Sequence, residues 1–157
     1  MKINELRLIK PLFFSPREVS EALKIREASG RLACHRYVKK GLLVRLKRGV
    51  YVLSEKWENV SSKQLYAIAN RLQVPSYISF TTALSFYEMT TQIQQGFMES
   101  AAVTRTKETE IETVTFRYFK LQKKLYFGFV KKEDFFIAAP EKALLDALYL
   151  MSLNRYH

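Results

Sequence analysis

Cysteine, histidine and aspartate are scarce in this chain of 157 residues, which contains one cysteine, two histidines and two aspartates. The single thiol, Cys34, cannot form an internal disulfide. With no second cysteine or histidine at ligand spacing, it also predicts no zinc site. The same shortage leaves few ways to assemble a catalytic group of side chains, and Cys34 is expected on the buried side of a helix.

Sequence signatures of common catalytic and phosphate-binding sites are also missing. The chain has no G-x-G-x-x-G, P-loop, H-E-x-x-H or G-x-S-x-G motif. No acidic residue is followed two positions later by lysine, as a D/E-x-K nuclease strand would require. Carboxylates cluster only at Glu108, Glu110 and Glu112, in a polar stretch that predicts a solvated loop rather than a two-metal centre. We expect no enzyme activity, no catalytic residue and no cofactor or metal.

Long hydrophobic runs are absent as well. Glu5 and Lys10 interrupt the only N-terminal segment that could resemble a signal sequence. No stretch approaches the roughly 20 apolar residues of a membrane-spanning helix. The expected location is therefore the cytoplasm.

Basic residues are abundant, and they are unevenly distributed. The net charge is +11. Residues 1–56 hold 14 basic and five acidic residues, a net +9, whereas residues 57–157 hold 12 basic and ten acidic residues, a net +2. Such a surface binds phosphates favourably because it releases their counterions. Anionic lipid is the weaker alternative, because no long basic amphipathic helix accompanies the charge.

Three helices are predicted before residue 41. Apolar residues at helical spacing predict the first over residues 2–13, bent or ended near Pro11. The second begins at Ser15, where a capping Ser, Pro16 and Glu18 form an S-x-x-E capping box. The third runs from about Ala28 to Lys40 and is followed by Gly41, a residue typical of the position after a helix.

The third helix has a predicted core face and a predicted outer face. Gly30, Cys34, Tyr37 and Val38 share one stripe, which would pack on the first two helices. If Leu32 were buried instead, the outer face would rotate toward its flanks. The outer residues are Ser29, Leu32, Arg36, Lys39 and Lys40, with Arg31 and His35 on the flanks. For His35, an unpaired surface histidine is an equally simple interpretation.

A change from helical spacing to alternation predicts a β-hairpin over residues 43–53, with a turn at Lys47-Arg48-Gly49. A helix that leads into a basic hairpin is the arrangement of a winged helix-turn-helix, which places the helix in the major groove of DNA and the wing beside the backbone. We therefore predict a DNA-binding domain over residues 1–56, with duplex DNA as its partner. The wing adds Arg45, Lys47 and Arg48 to the predicted contacts.

Residues 57–157 predict a small α+β domain with a mostly antiparallel sheet, after a linker at residues 54–59. A second capping box, Ser61 with Gln64, opens a helix that continues to Leu72. The other predicted elements are strands at 77–79, 98–104, 112–121, 125–130 and 135–138 and helices at 82–88 and 140–150, with residues 104–113 as a solvated loop.

Two features of this second domain each allow two interpretations. Glu141, Lys142 and Asp146 at the start of the last helix fit either a solvated helix start or a face that docks a partner. The aromatic residues fit core packing better than base stacking on an RNA-binding sheet, because a half-buried sheet commonly alternates such residues. They are Tyr118, Phe119, Tyr126, Phe127, Phe129, Phe135 and Phe136.

Three segments in this order resemble the AbiEi family of type IV antitoxins: GLLVRLKRGVYVL at 41–53, PSYISFTTAL at 75–84 and APEKALLDALYL at 139–150. The resemblance implies a winged-helix repressor domain joined to an antitoxin domain. It further implies that the protein regulates its own two-gene operon and counters a nucleotidyltransferase-like toxin, without requiring a stable complex with that toxin. Family members often continue past the last predicted helix, which implies a short member or a piece of a longer chain.

Other functions are compatible with the same residues. The chain could be a winged-helix regulator without a toxin, whose second domain senses a ligand or a protein. It could also be an RNA-binding protein that uses the basic domain on structured RNA. A palindromic operator would favour a homodimer, although a winged-helix monomer can also bind DNA.

Overall fold

The chain folds into two compact units, Met1–Ser61 and Ser62–His157. The computed structural model describes residues 2–92 and 95–157. The boundary falls five residues after the division expected at residue 56. The reason is that the expected linker at 54–59 is largely a helix, α4 (Ser54–Glu58), which buries Trp57 and packs with the hairpin before it.

The first unit is built around the predicted helices and hairpin. Its remaining elements are α1 (Ile3–Arg7), β1 (Phe13–Phe14), α2 (Pro16–Leu23), α3 (Glu27–Lys39), β2 (Leu43–Lys47) and β3 (Val50–Leu53). The strands form one antiparallel sheet in the order β1-β3-β2. This is the order of elements of a winged helix-turn-helix, so the fold class predicted for the N-terminal part is confirmed.

Local sequence signals fix the second helix. The Ser15 side chain accepts from the Glu18 backbone, and the Glu18 carboxylate accepts from the Ser15 N–H at 2.7 Å, which is a complete capping box. Val19 and Leu23 on its inner side join a core with Leu6, Phe14, Ala33, Cys34, Tyr37, Leu43 and Leu53.

The first helix is shorter than predicted. It ends at Arg7, before Pro11, and Phe13 and Phe14 form β1, paired with Val52 and Tyr51. Proline at residue 11 stops the helix, and the free edge of β3 supplies the hydrogen bonds that make a strand of the two phenylalanines.

The second unit is an α+β structure with one six-stranded sheet. Its strands are ordered β6-β7-β5-β4-β9-β8, with three antiparallel and two parallel junctions. The elements are α5 (Ser62–Leu72), β4 (Ser76–Ile78), α6 (Phe80–Phe86), β5 (Phe97–Ala102), β6 (Lys107–Ile111), β7 (Val114–Lys120), a 3-10 turn (Lys123–Leu125), β8 (Phe129–Lys132), β9 (Phe135–Ala138) and α7 (Pro140–Ser152). The predicted fold class is confirmed for this part too.

Two elements of the second unit differ from the sequence prediction. The expected loop at 104–113 contains β6, a mostly exposed strand that pairs with β7 at the edge of the sheet. The expected strand at 125–130 begins only at Phe129, after the 3-10 turn at Lys123–Leu125. In both cases pairing with a neighbouring strand, rather than alternation in the local sequence, determines where the strand lies. An edge strand buries little of either face, so its sequence need not alternate between apolar and polar residues.

Helices pack on the sheet of the second unit and complete its hydrogen bonds. α5 packs with β4, β5 and β9, while α6 packs with α7 and β5. The Asn70 side chain accepts from the Phe136 N–H at 2.6 Å and donates to the Phe136 carbonyl. Asn70 thus satisfies backbone groups of β9 with a side chain. No helix among residues 2–92 and 95–157 is long and apolar enough to cross a membrane.

Candidate nucleic-acid interface

A close contact between α2 and α3 fixes the position of the predicted recognition helix. A Cβ atom placed on Gly30 would lie 2.6 Å from the Pro16 carbonyl oxygen and 2.8 Å from the Ser20 Cβ. Both distances are too short for any other residue type without a shift of one helix. Gly30 therefore determines how closely α3 packs against α2. It thereby also determines how far the outer side of α3 stands from α2.

The buried side of α3 is the one that the sequence predicts. Gly30, Ala33, Cys34 and Tyr37 are buried, and Val38 is half-buried. Leu32 is 66% exposed, so the rotated alternative is wrong. Burial raises the pKa of the Cys34 thiol to about 11, which keeps the thiol protonated and unreactive near neutral pH.

The outer side of α3 consists of polar and basic residues together with one leucine, Leu32. The predicted contact residues on it are all exposed: Ser29, Arg31, Leu32, His35, Arg36, Lys39 and Lys40. The structure therefore brings the seven together on the solvent side of one helix, which ends at Lys39 with Lys40 as its C-cap.

The connection from α3 to the hairpin is short and hydrogen-bonded. Gly41 has a φ of 74°, and its N–H donates to the Val38 carbonyl at 3.0 Å. The Leu42 N–H donates to the Tyr37 carbonyl at 2.9 Å. These two bonds form a Schellman motif, which ends the helix and turns the chain directly into β2.

The hairpin presents the remaining three predicted contacts at and near its tip. Lys47 pairs with Val50, which leaves Arg48 and Gly49 as a two-residue turn, and Gly49 has a φ of 77°. A bulge between Arg45 and Lys47 keeps Leu46 buried while Arg45 stays exposed. Arg48 is exposed and Lys47 half-exposed, so the wing carries its cations on its outer surface.

Basic residues dominate this surface, which we call the basic surface. It consists of the seven predicted contact residues on α3 and its C-cap together with Arg45, Lys47 and Arg48. Residues 28–54 contain seven basic residues and no acidic one. The Glu27 carboxylate lies 3.9 Å from the Arg31 guanidinium, but both side chains are more than half exposed. An exposed pair of this length contributes little, so Arg31 stays available to another anion.

Two further cations adjoin the basic surface and are not among the contact residues that the sequence predicts. Lys24 and Arg26 lie in the exposed turn between α2 and α3, and Arg26 is the N-cap residue of α3. The signal that could have found them is their position in the turn of a helix-turn-helix, where the recognition helix begins.

The sequence interpretation of Glu141, Lys142 and Asp146 needs correction. Glu141 is exposed, but Lys142 and Asp146 are 7% and 3% exposed and form a buried ion pair. They are four residues apart on α7, so both point inward, and neither belongs to a solvated helix start or to an exposed docking face.

Hydrogen bonds complete this buried pair. Asp146 accepts from the Tyr77 hydroxyl at 2.8 Å and from the Ser79 hydroxyl at 2.7 Å. Lys142 also donates to the Leu125 carbonyl at 2.8 Å, and its ammonium lies 4.8 Å from the ring centre of Phe127. Burial raises the pKa of Tyr77, with Asp146 adding to the shift, so its hydroxyl stays protonated as a donor. The group is a satisfied polar network of the core.

The aromatic residues of the second unit mostly pack inside it. Tyr118 and Phe135 are buried, and the Tyr118 hydroxyl donates to the Ala69 carbonyl. Phe119, Tyr126 and Phe129 are half-buried, whereas Phe127 and Phe136 are 58% and 41% exposed. Core packing is confirmed for most of them, and they do not form an exposed stacking platform.

A cleft of about 420 Å³ lies in the second unit, lined by Glu99, Arg117, Phe119 and Tyr156 among others. Glu99 accepts from the Tyr156 hydroxyl at 2.9 Å, and burial raises the pKa of Tyr156 to about 12. Two of the polar groups that line the cleft are thus already hydrogen-bonded to each other. Within the described ranges, no group of three or more His, Cys, Asp or Glu side chains could hold a metal ion.

Comparison with known proteins agrees with the winged helix-turn-helix. Residues 1–54 match the model of a family described as transcriptional regulator, AbiEi antitoxin. The resemblance inferred from the sequence is therefore confirmed over these residues, which contain α1 to α3 and the whole hairpin. No curated protein and no solved structure matches the chain.

Proposed function

We propose that this chain, whose residues 1–54 match the AbiEi antitoxin family of transcriptional regulators, binds operator DNA and represses its own operon. Residues 1–56 serve as the DNA-binding domain. The observation that carries the proposal is the basic surface. It combines the exposed outer side of α3 with the cationic hairpin tip, and the apolar core of the unit supports both elements. A B-DNA major groove admits such a helix while the wing lies along the phosphates.

The two parts of the basic surface have different roles. Arg36 and Arg31 on α3 can contact base edges, since a guanidinium can bind guanine through two hydrogen bonds. Lys39, Lys40, Arg45, Lys47 and Arg48 contact phosphates and determine how steeply affinity falls with salt. Ser29, Leu32 and His35 lie on the same exposed side of α3 as Arg31 and Arg36. They therefore face the major groove together with these two arginines.

Repression serves a toxin–antitoxin pair in the cytoplasm. Residues 57–157 act as the antitoxin domain and counter a nucleotidyltransferase-like toxin encoded beside this chain. The support for this role is the family match of the N-terminal part together with the segments PSYISFTTAL and APEKALLDALYL in the second unit. No enzymatic step is assigned to the chain.

The decisive experiment is a titration of the protein against its own upstream DNA and against a scrambled duplex, over a series of salt concentrations. We expect a preference of roughly a thousandfold or more for the upstream DNA. Equal binding that disappears steeply with salt would overturn the proposal, and stronger binding to structured RNA than to duplex DNA would replace it with the RNA-binding alternative.

A triple variant of the wing with a matched control sharpens this test. Changing Arg45, Lys47 and Arg48 to Ala should weaken binding to every duplex and make the salt dependence shallower. The control removes the same charge from the second unit by changing Lys123, Lys124 and Lys131 to Ala, three exposed residues outside the family match. If both variants lose affinity equally, net charge alone explains the binding.

The toxin function is tested separately. Co-expression with a neighbouring nucleotidyltransferase-like gene should restore growth that the gene alone suppresses. If growth is not restored while operator binding persists, the chain is a winged-helix regulator whose second unit has another role.

A further inference from the structure

An acidic residue stands at the start of the helix that carries most of the basic surface. Glu27 is the first residue of α3, directly after the N-cap residue Arg26. Residues 22–54 hold nine basic residues, and Glu27 is their only acidic residue. A carboxylate repels phosphate oxygens, so at this position it lowers the affinity of the surface for any DNA backbone. Phosphate binding therefore does not explain why an acidic residue is there.

The contacts of Glu27 inside the protein are weak. Its carboxylate lies 3.9 Å from the Arg31 guanidinium, and the two side chains are 61% and 74% exposed. An ion pair of this length and exposure adds little to stability, and the attraction of an exposed carboxylate to the start of its helix is also modest. Both side chains can therefore leave each other to bind another molecule.

Glu27 lies in a row of exposed side chains along α3. Residues four apart are neighbours on a helix surface, so Glu27, Arg31 and His35 form one row that begins at the first residue of the helix. In a helix-turn-helix, the N-terminal residues of the recognition helix contact the edges of the bases. Glu27 and Arg31 thus occupy the end of α3 that contacts bases.

The hydrogen-bonding groups of these two side chains complement one kind of base pair. A carboxylate only accepts hydrogen bonds, and a guanidinium only donates them. In the major groove, cytosine presents the N4 amino group as a donor, and guanine presents N7 and O6 as two acceptors. A C·G pair therefore offers a donor to Glu27 and acceptors to Arg31.

We propose that Glu27 determines operator specificity by accepting a hydrogen bond from the N4 amino group of a cytosine. Arg31 donates to the guanine of the same or the neighbouring base pair. This role rests on the proposed operator binding and adds to it the base that one residue selects. The carboxylate also acts against DNA with another base at that position, because its charge then stays unpaired in the groove.

The test compares Glu27→Ala with a matched control on the upstream and scrambled duplexes. The control is Glu21→Ala, which removes an exposed glutamate of α2 that likewise pairs with an arginine four residues away. Glu27→Ala should lower the preference for the upstream DNA about tenfold. Its affinity for the scrambled duplex should stay equal or rise slightly, because a repelling charge is gone. Glu21→Ala should leave the preference unchanged.

A second variant, Glu27→Gln, identifies the base. The probes are upstream duplexes in which each base pair is replaced in turn. The wild type should lose about tenfold in affinity when the cytosine is replaced, whereas Glu27→Ala should be insensitive at that base pair. Glutamine keeps the size of the side chain and adds a donor, which suits N6 and N7 of adenine. Glu27→Gln should therefore prefer adenine to cytosine at that position.

The outcomes separate this role from operator binding itself. A wild type that binds the two duplexes equally overturns operator binding and the role of Glu27 with it. A wild type that prefers the upstream DNA, with a Glu27→Ala variant that keeps this preference, overturns the role of Glu27 alone. A Glu27→Gln variant with the base preference of the wild type also overturns it. Because Glu27 is exposed, all three variants should unfold at the temperature of the wild type in thermal denaturation.

Discussion

The two units distribute polar and apolar residues in opposite ways. In the first unit, Ser20 is the only buried polar residue of the described part, and exposed large apolar residues are few: Leu8, Ile25 and Leu32. The second unit buries Lys142, Asp146, Glu99 and several polar residues, while ten large apolar residues stand exposed on it, five of them on α7 and its C-cap.

This difference shows which residues determine the packing of each unit and which residues lie on its surface. The first unit combines an apolar core with a cationic exterior, so its interior defines its shape and its surface carries the proposed DNA contacts. In the second unit, polar groups inside the core restrict how the elements can pack, because each buried donor or acceptor needs its own partner. Its exterior is correspondingly richer in exposed apolar residues. Four sets of variants test this comparison, in order of decreasing effect.

The largest effect is expected from the interior of the second unit. Asp146→Ala leaves the Lys142 ammonium buried without its carboxylate and removes the acceptor of Tyr77 and Ser79. It should lower the free energy of unfolding by about 3–5 kcal/mol, measured by urea denaturation. The double variant Lys142→Met, Asp146→Leu should lose much less, because no charge is left buried. A loss below about 1 kcal/mol for Asp146→Ala would show that the network is solvated.

The next effect concerns the exterior of the first unit. Arg36→Ala should reduce discrimination between operator and scrambled duplex by about 1–3 kcal/mol, because it removes the base contact that we propose for this guanidinium. Lys47→Ala should weaken binding to both duplexes about equally and lower the salt slope by about 1. Fluorescence anisotropy at several salt concentrations measures both. Equal losses on the two duplexes for both variants would contradict this division of roles.

The stability of the first unit should depend on the size of the side chain at its helix–helix contact. Gly30→Ala gains helix propensity of about 1 kcal/mol but forces a methyl group against Pro16 and Ser20. Overpacking of this kind costs about 1–3 kcal/mol, so we expect a net loss of stability in thermal denaturation. Ser29→Ala, next to it on the exposed side, should change the midpoint little. If Gly30→Ala stabilises the protein, α2 and α3 are free to move apart.

The smallest effect is expected at an exposed ion pair of the first unit. The Arg7 guanidinium binds the Glu55 carboxylate at 2.9 Å and lowers the pKa of that carboxyl. The pair therefore stabilises the fold above the ordinary pKa of glutamate and ceases to do so as the pH falls through the lowered value. Arg7→Ala should raise the pKa of Glu55 toward its ordinary value in an NMR titration, with only a slight change in stability at neutral pH. Arg17→Ala, which removes another exposed pair, should leave the pKa of Glu55 unchanged.

Elements set by local chemistry could be predicted from the sequence. The capping box at Ser15, the glycine after α3 and the glycine of the hairpin turn each depend on a few neighbouring residues, and all three lie where they were expected. The inner and outer sides of α3 also followed from spacing alone. Most of the candidate interface was therefore visible in the sequence, apart from Lys24 and Arg26.

Elements set by distant partners could not be predicted. Phe13–Phe14 is a strand because β3 lies beside it, and Lys107–Ile111 is a strand because β7 does. Lys142 and Asp146 resemble a solvated helix start until Tyr77 and Ser79, more than sixty residues earlier, supply hydrogen bonds. Side chains of one helix cannot reveal which polar groups the fold will bring to them.

The Schellman motif between α3 and β2 has a consequence for how the basic surface can adapt. Only Lys40, Gly41 and Leu42 separate the helix from the strand, and the backbone N–H of each donates to a carbonyl of the last helical turn. Helix α3 and the hairpin are therefore expected to move as one rigid body. A rotation of α3 about its own axis would then also displace the hairpin tip. A single glycine inserted after Gly41 would remove this coupling, and each part would then follow the double helix independently.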